Sequence, residues 1–195
     1  ASLTFLIIGF SLGLTAGFSV TIAQNYGAKD YAGLRRAIAS SIKLAVGITV
    51  LLTLFSVVFL RDILLLLKTD DKILNDSLLY GYIIFGGLVS TIAYNMCASI
   101  LRALGDSKTP LIAIVVSSII NVVLNSVTIF VMNTGVEGPA VATIIAQVVA
   151  GMGCLLYAIR FNPYFKMERR HFTVEKSFVL GSVRLGVPLS LQFSL

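Results

Sequence analysis

Apolar side chains are concentrated in five long stretches of this chain, and polar side chains in the short connections between them. Each stretch is long enough to cross a bilayer as a helix, which takes about 20 residues for a hydrocarbon core of roughly 30 Å. Lys43 is the single charged residue within them. The stretches cover residues 1–23, 37–60, 78–100, 111–132 and 140–159. This pattern predicts an all-α, polytopic membrane bundle with five full transmembrane helices.

Two shorter apolar segments differ from these spans. Residues 61–68 are too short and too closely flanked by charge to cross a bilayer, so they predict an interfacial helix on the outer surface. Residues 185–195 have the composition of a sixth spanning helix that stops as it begins, and residue 1 already lies in a span. We therefore expect a piece of a longer protein. Its parts are a transmembrane bundle (1–160), a cytoplasmic linker (161–184) and the start of a second bundle (185–195).

Composition agrees with a membrane protein, and the charge distribution adds an orientation. With 57% hydrophobic and 12% charged residues and a mean hydropathy of +0.94, the chain has too few polar groups to cover a soluble globule. Lys and Arg are enriched in loops on the cytoplasmic side of membranes. Eleven of the 15 Lys and Arg residues lie in the first, third and fifth connections, and three lie in the second. We expect the odd-numbered connections to be cytoplasmic and Ala1 to lie at the outer face of the cell membrane. This orientation accounts for the net charge of +6, so we expect no nucleic-acid partner.

Side chains that could carry catalysis or hold a metal are sparse. Cys97 and Cys154 both fall inside apolar spans, where core packing is the expected role. His171 lies in a basic segment with no cysteine or carboxylate cluster at ligand spacing. No span contains Asp or Glu, and no nucleophile–base set or phosphate-binding loop occurs. We expect neither an enzyme nor a bound cofactor or metal.

Polar side chains recur in the interior of three spans. They are Asn95 and Tyr94 in the third span, Asn121 and Asn125 in the fourth, and Thr143 and Gln147 in the fifth. An amide in hydrocarbon is costly unless it finds a partner or water. Two interpretations follow: the amides line a polar cavity for a substrate or ion, or they join helices through interhelical hydrogen bonds. Because these spans lack a carboxylate, ion coupling would use amides and carbonyls or a group elsewhere.

Five motifs along the chain resemble, in order, those of the multidrug and toxic compound extrusion (MATE) transporter family. Gln24-Asn-Tyr-Gly27-Ala is similar to its Gln-x-x-Gly-Ala motif at the end of helix two. Arg102-Ala-Leu-Gly105-Asp106, with Pro110 four residues later, is similar to its Arg-x-x-Gly-Asp-x-x-x-Pro loop. The remaining three are the pair Asn121 and Asn125, similar to its Asn-x-x-x-Asp/Asn pair on helix five, the glycine-rich residues 135–143 before helix six, and residues 185–188 at the start of helix seven.

The resemblance implies helices two to six of a twelve-helix transporter made of two six-helix lobes. It implies a cavity in the amino-terminal lobe that protons or sodium ions reach, and antiport that expels organic cations or amphiphilic drugs through the bilayer as the lobes swing. The second lobe of the same full-length chain is then a partner. Position 125 is Asn where many members have Asp, and the helix-one carboxylate of the family is not on this chain. The implied coupling ion is therefore H⁺ or Na⁺.

The motif residues at the cytoplasmic ends are candidate gate residues. They are Gln24, Gly27, Arg102, Gly105, Asp106 and Pro110. We expect the two glycines to permit tight turns, and the proline to occupy the first turn of a helix without losing a hydrogen bond. The arginine and aspartate either pair across the loop or remain two solvated charges.

Two alternative functions remain open. A flippase for lipid-linked oligosaccharides shares the lobe plan, but its cavity usually has more cationic side chains, and only Lys43 is available here. A non-transporting membrane subunit would use the amides to hold helices together. Access of water to the amides separates these alternatives from an exporter.

Overall fold

The fold is a bundle of helices. The computed structural model describes residues 2–67, 69, 71–165 and 188, with the backbone alone at residues 2–8, 10–12, 14 and 71. In chain order the helices are α1 Ser2–Gly27, α2 Tyr31–Leu66, α3 Asp71–Gly86, α4 Leu88–Ala103, α5 Lys108–Ser126 and α6 Glu137–Phe161. A π-helical turn, Val127–Val131, follows α5, and a 3-10 turn, Pro163–Phe165, follows α6. The described residues contain no strand, which confirms the all-α class.

The helices have the length and surface of membrane spans. Among the described residues, α2, α5 with its π turn, and α6 are each long and apolar enough to cross a membrane, and α3 with α4 forms a fourth such segment. Their outer faces are aliphatic, as at Leu51, Ile119 and Leu156, whose side chains are more than half exposed. Apolar surface on this scale is stable against acyl chains and not against water. The chain is a multi-pass membrane protein, as the apolar pattern predicted.

Helix α4 occupies the centre of the bundle. Residues 94–101 are all buried, and α4 packs against α1, α2 and α6. α1 approaches closely because Gly9, Gly13 and Gly17 form a buried stripe of small residues along it. α6 has a similar stripe, with a small residue at every fourth position buried: Ala142, Ala146, Ala150, Cys154 and Ala158. α5 packs mainly against α6.

The third predicted span, residues 78–100, is wrong as a single helix. The chain breaks between α3 and α4 at Gly87, and the two helices differ in direction by 42°. Two consecutive glycines, Gly86 and Gly87, weaken the helix here because they lose more conformational freedom than other residues. A side chain at Gly87 would also meet Ile144 of α6 at 2.5 Å. The absence of a side chain at Gly87 therefore lets α6 approach the junction.

The separate interfacial helix predicted for residues 61–68 is also wrong. α2 runs without a break from Tyr31 to Leu66, a length of about 54 Å at 1.5 Å per residue. No glycine or proline occurs between Gly47 and the end of this helix, so nothing in the sequence interrupts it at Arg61. The helix is longer than the hydrocarbon core, and its ends extend past the apolar span that the sequence predicted.

The other boundaries agree closely with the sequence pattern. α1, α5 with its π turn, and α6 begin and end within four residues of the predicted spans. Cys97 and Cys154 are buried and free, as expected for core packing. The predicted linker beyond Phe165 and the start of a second bundle lie outside the described residues, apart from Pro188.

Candidate functional site

Three of the predicted cavity residues form a hydrogen-bonded chain between α5 and α6, which we call the polar ladder. The Asn125 Nδ2 donates to the Asn121 Oδ1 at 3.0 Å, and the Asn121 Nδ2 donates to the Thr143 Oγ1 at 3.3 Å. The Thr143 hydroxyl donates in turn to the Pro139 carbonyl at 2.9 Å. The two amides meet because residues four apart lie on one face of a helix. The ladder therefore links two turns of α5 to the first turns of α6.

The ladder ends in a hydrogen-bond acceptor that has no donor in the described part of the chain. The Asn125 Oδ1 is buried and has no hydrogen-bond partner among the described residues. Leaving a buried polar atom unpaired costs about 1–3 kcal/mol. An amide oxygen accepts hydrogen bonds from water or a ligand and is also a ligand for hard cations. The site can thus offer neutral donors and acceptors, but it contains no charge of its own.

A hydroxyl fixes the packing of α5 against α6 beside the ladder. Ser117 is buried, and its Oγ donates to the backbone carbonyl of Ala146 at 2.8 Å. Ser118 and Ser126 instead donate to carbonyls of their own helix and face outward. The sequence placed all of these hydroxyls in one apolar span and does not distinguish them. Their angular positions around α5 decide which hydroxyl faces α6: Ser117 does, and the other two do not.

The π-helical turn lies directly beyond the ladder. The Thr128 Oγ1 donates to the Asn125 carbonyl at 3.1 Å, and the Thr134 Oγ1 donates to the Thr128 carbonyl at 2.8 Å. Gly138, at the start of α6, allows this approach, because a side chain there would overlap Thr134 and lie 2.8 Å from the Thr128 Cβ. Sequence reasoning noted the glycine-rich entry to this helix without giving Gly138 a role. The structure shows that its small size brings α6 onto the ladder.

The other three predicted cavity residues lie apart from the ladder. Gln147 lies one turn after Thr143, but it lines a mostly aliphatic groove of about 450 Å³ between α2, α4 and α6. Its Oε1 is buried without a partner among the described residues. Asn95 is buried within α4. The Tyr94 hydroxyl donates to the Pro110 carbonyl at 3.2 Å and so ties α4 to α5.

Four of the candidate gate residues lie at the junction of α4 and α5: Arg102 at the end of α4, Gly105 and Asp106 in the loop, and Pro110 in α5. Gly105 has a left-handed φ of +89°, which confirms the tight turn. Pro110 lies in the first turn of α5, as predicted. Arg102 donates to the Ser99 Oγ at 3.2 Å and not to Asp106, so these two described residues form no ion pair. Of the two alternatives for them, pairing across the loop does not hold in this structure.

Asp106 instead caps α5. Its Oδ1 accepts hydrogen bonds from the backbone N–H groups of Lys108 and Thr109 at 3.1 and 3.0 Å. Desolvation opposes ionisation of this carboxyl, but the hydrogen bonds from Thr109 and Lys108 and the charge of Lys108 outweigh it. The pKa of Asp106 is therefore lowered from its ordinary value. The ionised carboxylate stabilises the start of the helix.

The other two candidate gate residues lie at the end of α1. Gln24 is exposed in the last turn, and Gly27 is the final residue of the helix. A turn does follow Gly27, at Ala28 and Lys29, but its left-handed residue is Lys29, with φ 57°, and not the glycine. A Cβ at Gly27 would meet nothing within 4 Å. Among the described residues no group of three or more His, Cys, Asp or Glu side chains is placed to hold a metal.

The comparisons with known proteins decide the family. A family model described as MatE matches residues 1–127, a segment that includes α1 to α5 and both amides of the ladder. The chain belongs to the MATE family. Members of the MATE family are transporters and not enzymes. This MATE chain is 32% identical over 200 aligned positions to the probable multidrug resistance protein YoeA of Bacillus subtilis. The alignment covers 99% of this chain and 43% of YoeA.

Two solved MATE structures have the same fold as this chain. One is the inward-facing conformation of a multidrug resistance MATE family transporter of the MOP superfamily, with a TM-score of 0.93 and 24% identity, covering 99% of this chain and 44% of that one. The other is an outward-facing conformation of such a transporter, with a TM-score of 0.89 and 25% identity, covering 98% and 43%. The MATE chain described here spans less than half the length of the relatives it matches.

Proposed function

We propose that the full-length protein containing this chain is a secondary active exporter, which expels organic cations or amphiphilic drugs against a proton or sodium gradient. The observation that carries the proposal is the polar ladder with its unpaired Asn125 Oδ1 between two membrane-spanning helices. An open acceptor at this depth is costly unless water, an ion or a ligand reaches it. The name of the relative YoeA, a probable multidrug resistance protein, supports the substrate class.

The proposed mechanism treats this bundle as a lobe that moves as a unit. The fold is similar to that of both an inward-facing and an outward-facing transporter, which supports rigid-body rotation between the two states. A ligand or ion would bind at the Asn125 Oδ1 from the cavity and compete with the hydrogen bonds of the ladder. Binding in one state and release in the other then couples the ion to the drug.

A specific observation favours a second candidate function. The hydrogen bond from Asn121 to Thr143 joins α5 to α6, as expected if the amides only hold helices together in a non-transporting subunit. The flippase alternative has less support, because the ladder contains no cationic side chain. The unpaired oxygen distinguishes the exporter from the subunit, since a purely structural network would have no need of it.

Transport assays on the full-length protein in liposomes test the proposal. A proton or sodium gradient is imposed, and the efflux of a fluorescent organic cation is followed. We expect efflux that depends on one of the two gradients. Transport without dependence on either gradient would remove antiport, and no transport of any organic cation would favour the structural subunit.

The variant Asn125→Asp identifies the ion in the same assay. A carboxylate adds a titratable group to the ladder, so in a proton-coupled protein we expect the pH profile of efflux to change. In a sodium-coupled protein we expect a lower sodium concentration for half-maximal efflux and little change in the pH profile, because hard cations prefer charged oxygen ligands. Asn133→Asp makes the same amide-to-carboxylate change at an exposed position after the π turn and is the matched control.

A further inference from the structure

An aliphatic groove runs along the bundle on a side that the ladder does not use. α2 and α6 form its walls, and α4 forms its floor through Ile92, Met96 and Cys97. Its rim consists of exposed aliphatic side chains on the two walls, such as Val46, Val50 and Met152. α2 and α6 are membrane spans, so the rim of the groove lies at the depth of the hydrocarbon core. We call it the α2–α6 groove.

The α2–α6 groove ends against α3 on one side and reaches the 3-10 turn on the other. Farther along the bundle, α3 packs against both α2 and α6, and Leu60, Phe85 and Ala140 form a small core there. At the other end Phe165 of the 3-10 turn lines the groove. Tyr164, next to it, stacks on Tyr31 with ring centroids 5.5 Å apart. Tyrosines cluster at the membrane–water interface, so the Phe165 end lies at headgroup level.

A cationic side chain continues the wall of the groove toward this interface. Arg35 lies seven residues before Ile42, which is two turns and about 10 Å along the same face of α2. Its Nε is buried and has no hydrogen-bond partner among the described residues. A buried guanidinium N–H without a partner is costly, and phosphate oxygens match its geometry. The groove and Arg35 together are complementary in shape and charge to an anionic amphiphile.

We propose that the α2–α6 groove binds an anionic phospholipid, with one acyl chain between α2 and α6 and the phosphate at Arg35. The apolar lining accepts the chain, and Phe165 marks the depth at which the chain meets the headgroup. Basic side chains between membrane helices are a recurring way to retain anionic headgroups. The proposal depends on the membrane embedding of the chain and not on the proposed transport, so lipid binding and efflux can fail separately.

Headgroup selectivity tests the role of Arg35. The full-length protein is purified in detergent and exchanged with an equimolar mixture of phosphatidylglycerol and phosphatidylcholine of identical chains, and the retained lipids are counted by mass spectrometry. One basic group near the headgroup predicts an enrichment of phosphatidylglycerol of about fivefold. We expect Arg35→Gln to abolish the enrichment, so that the two lipids are retained equally. The neighbouring Arg36→Gln should leave the enrichment unchanged. Equal retention of the two lipids by the parent, or full enrichment in Arg35→Gln, overturns the headgroup site.

Cross-linking locates the acyl chain independently. Phosphatidylglycerol with a photoactivatable group in one chain is expected to label peptides covering residues 42–50 and 147–155. Ala93→Phe places a ring on the groove floor and is expected to abolish this label, whereas Val122→Phe on the exposed face of α5 keeps it. Labelling confined to other helices overturns the proposal. So does an absence of labelling, which would show that another segment of the full-length protein covers the groove.

Discussion

Asn121 occupies the middle of the polar ladder and is the residue on which its continuity depends. Its oxygen accepts from Asn125 and its nitrogen donates to Thr143, so both ends of the amide are used. By contrast, Ser118 on the same helix is exposed and donates to the Ile114 carbonyl of its own turn. Two polar residues three positions apart therefore have different roles. This contrast provides a matched pair of substitutions.

Asn121→Leu in the full-length protein is expected to lower the initial rate of drug efflux at least about tenfold, because it removes two hydrogen bonds worth ~1 kcal/mol each. Ser118→Leu adds the same side chain on the exposed face and should transport at the parental rate. Expression and detergent extraction of both variants are compared with the parent. Parental efflux by Asn121→Leu would assign the ladder to helix association alone.

Asp106 permits a prediction about pH. Its pKa is lowered in the folded state, so the stabilisation that its charge provides is present above the ordinary aspartate value of about 3.9 and is lost as pH falls through the folded pKa. At pH 7, Asp106→Asn should melt at a lower temperature than the parent. Asp106→Ala, which loses the cap as well, should lose a further ~1 kcal/mol of folding free energy. Below pH 4 the difference between parent and Asp106→Asn should shrink. A difference that is constant with pH would contradict the assigned role of the charge.

At the scale of the helices, two glycines that look alike in the sequence differ in the structure. Gly105 has a φ of +89° between α4 and α5, whereas Gly27 ends α1 without a positive φ. Gly105→Ala should therefore reduce the free energy of unfolding by about 1–2 kcal/mol. Gly27→Ala should be neutral or slightly stabilising, since the added methyl group meets nothing and alanine loses less conformational freedom. Thermal unfolding in detergent measures both, and equal effects would contradict the assignment.

The lengths and positions of most helices could be predicted because each apolar stretch must cross the same thickness of hydrocarbon. The two errors in the predicted helix boundaries arise where the apolar pattern does not report on the backbone. Apolar composition continues through Gly86 and Gly87, so it did not reveal the break between α3 and α4. Charge at Arg61 and Asp62 suggested an interface, but charge does not end a helix, and α2 continues. Backbone preferences govern the helix ends, and side-chain polarity reports only the surrounding medium.

At the scale of the whole molecule, periodicity found the polar ladder and failed to assemble the rest of the cavity. Four-residue spacing places Asn121 and Asn125 on one face of their helix whatever surrounds it. Whether Tyr94 and Gln147 share that site depends on how each helix is rotated about its axis, which the packing of small residues on α1 and α6 determines. Tyr94 instead contacts Pro110, and Gln147 lines the α2–α6 groove.

The orientation of the bundle is a prediction at this scale. Cysteines introduced by Lys108→Cys and Lys166→Cys should react with an impermeant thiol reagent only from the cytoplasm, and one introduced by Asp71→Cys only from outside, because Lys and Arg are concentrated in the odd-numbered connections. Cys97 and Cys154 are buried, which keeps the background low. Labelling in the reverse pattern would invert the orientation.

The π turn at Val127–Val131 predicts where a one-residue difference in length falls among relatives. A π turn accommodates one residue more than an α turn, so deleting one residue there would restore a regular helix while leaving Asn121 and Asn125 where they are. The contact between Thr128 and Gly138 would be lost, because every position after the deletion would rotate by about 100°. Relatives with an uninterrupted helix at this point are therefore expected to align with a one-residue gap within 127–131 and to tolerate a bulkier residue at position 138.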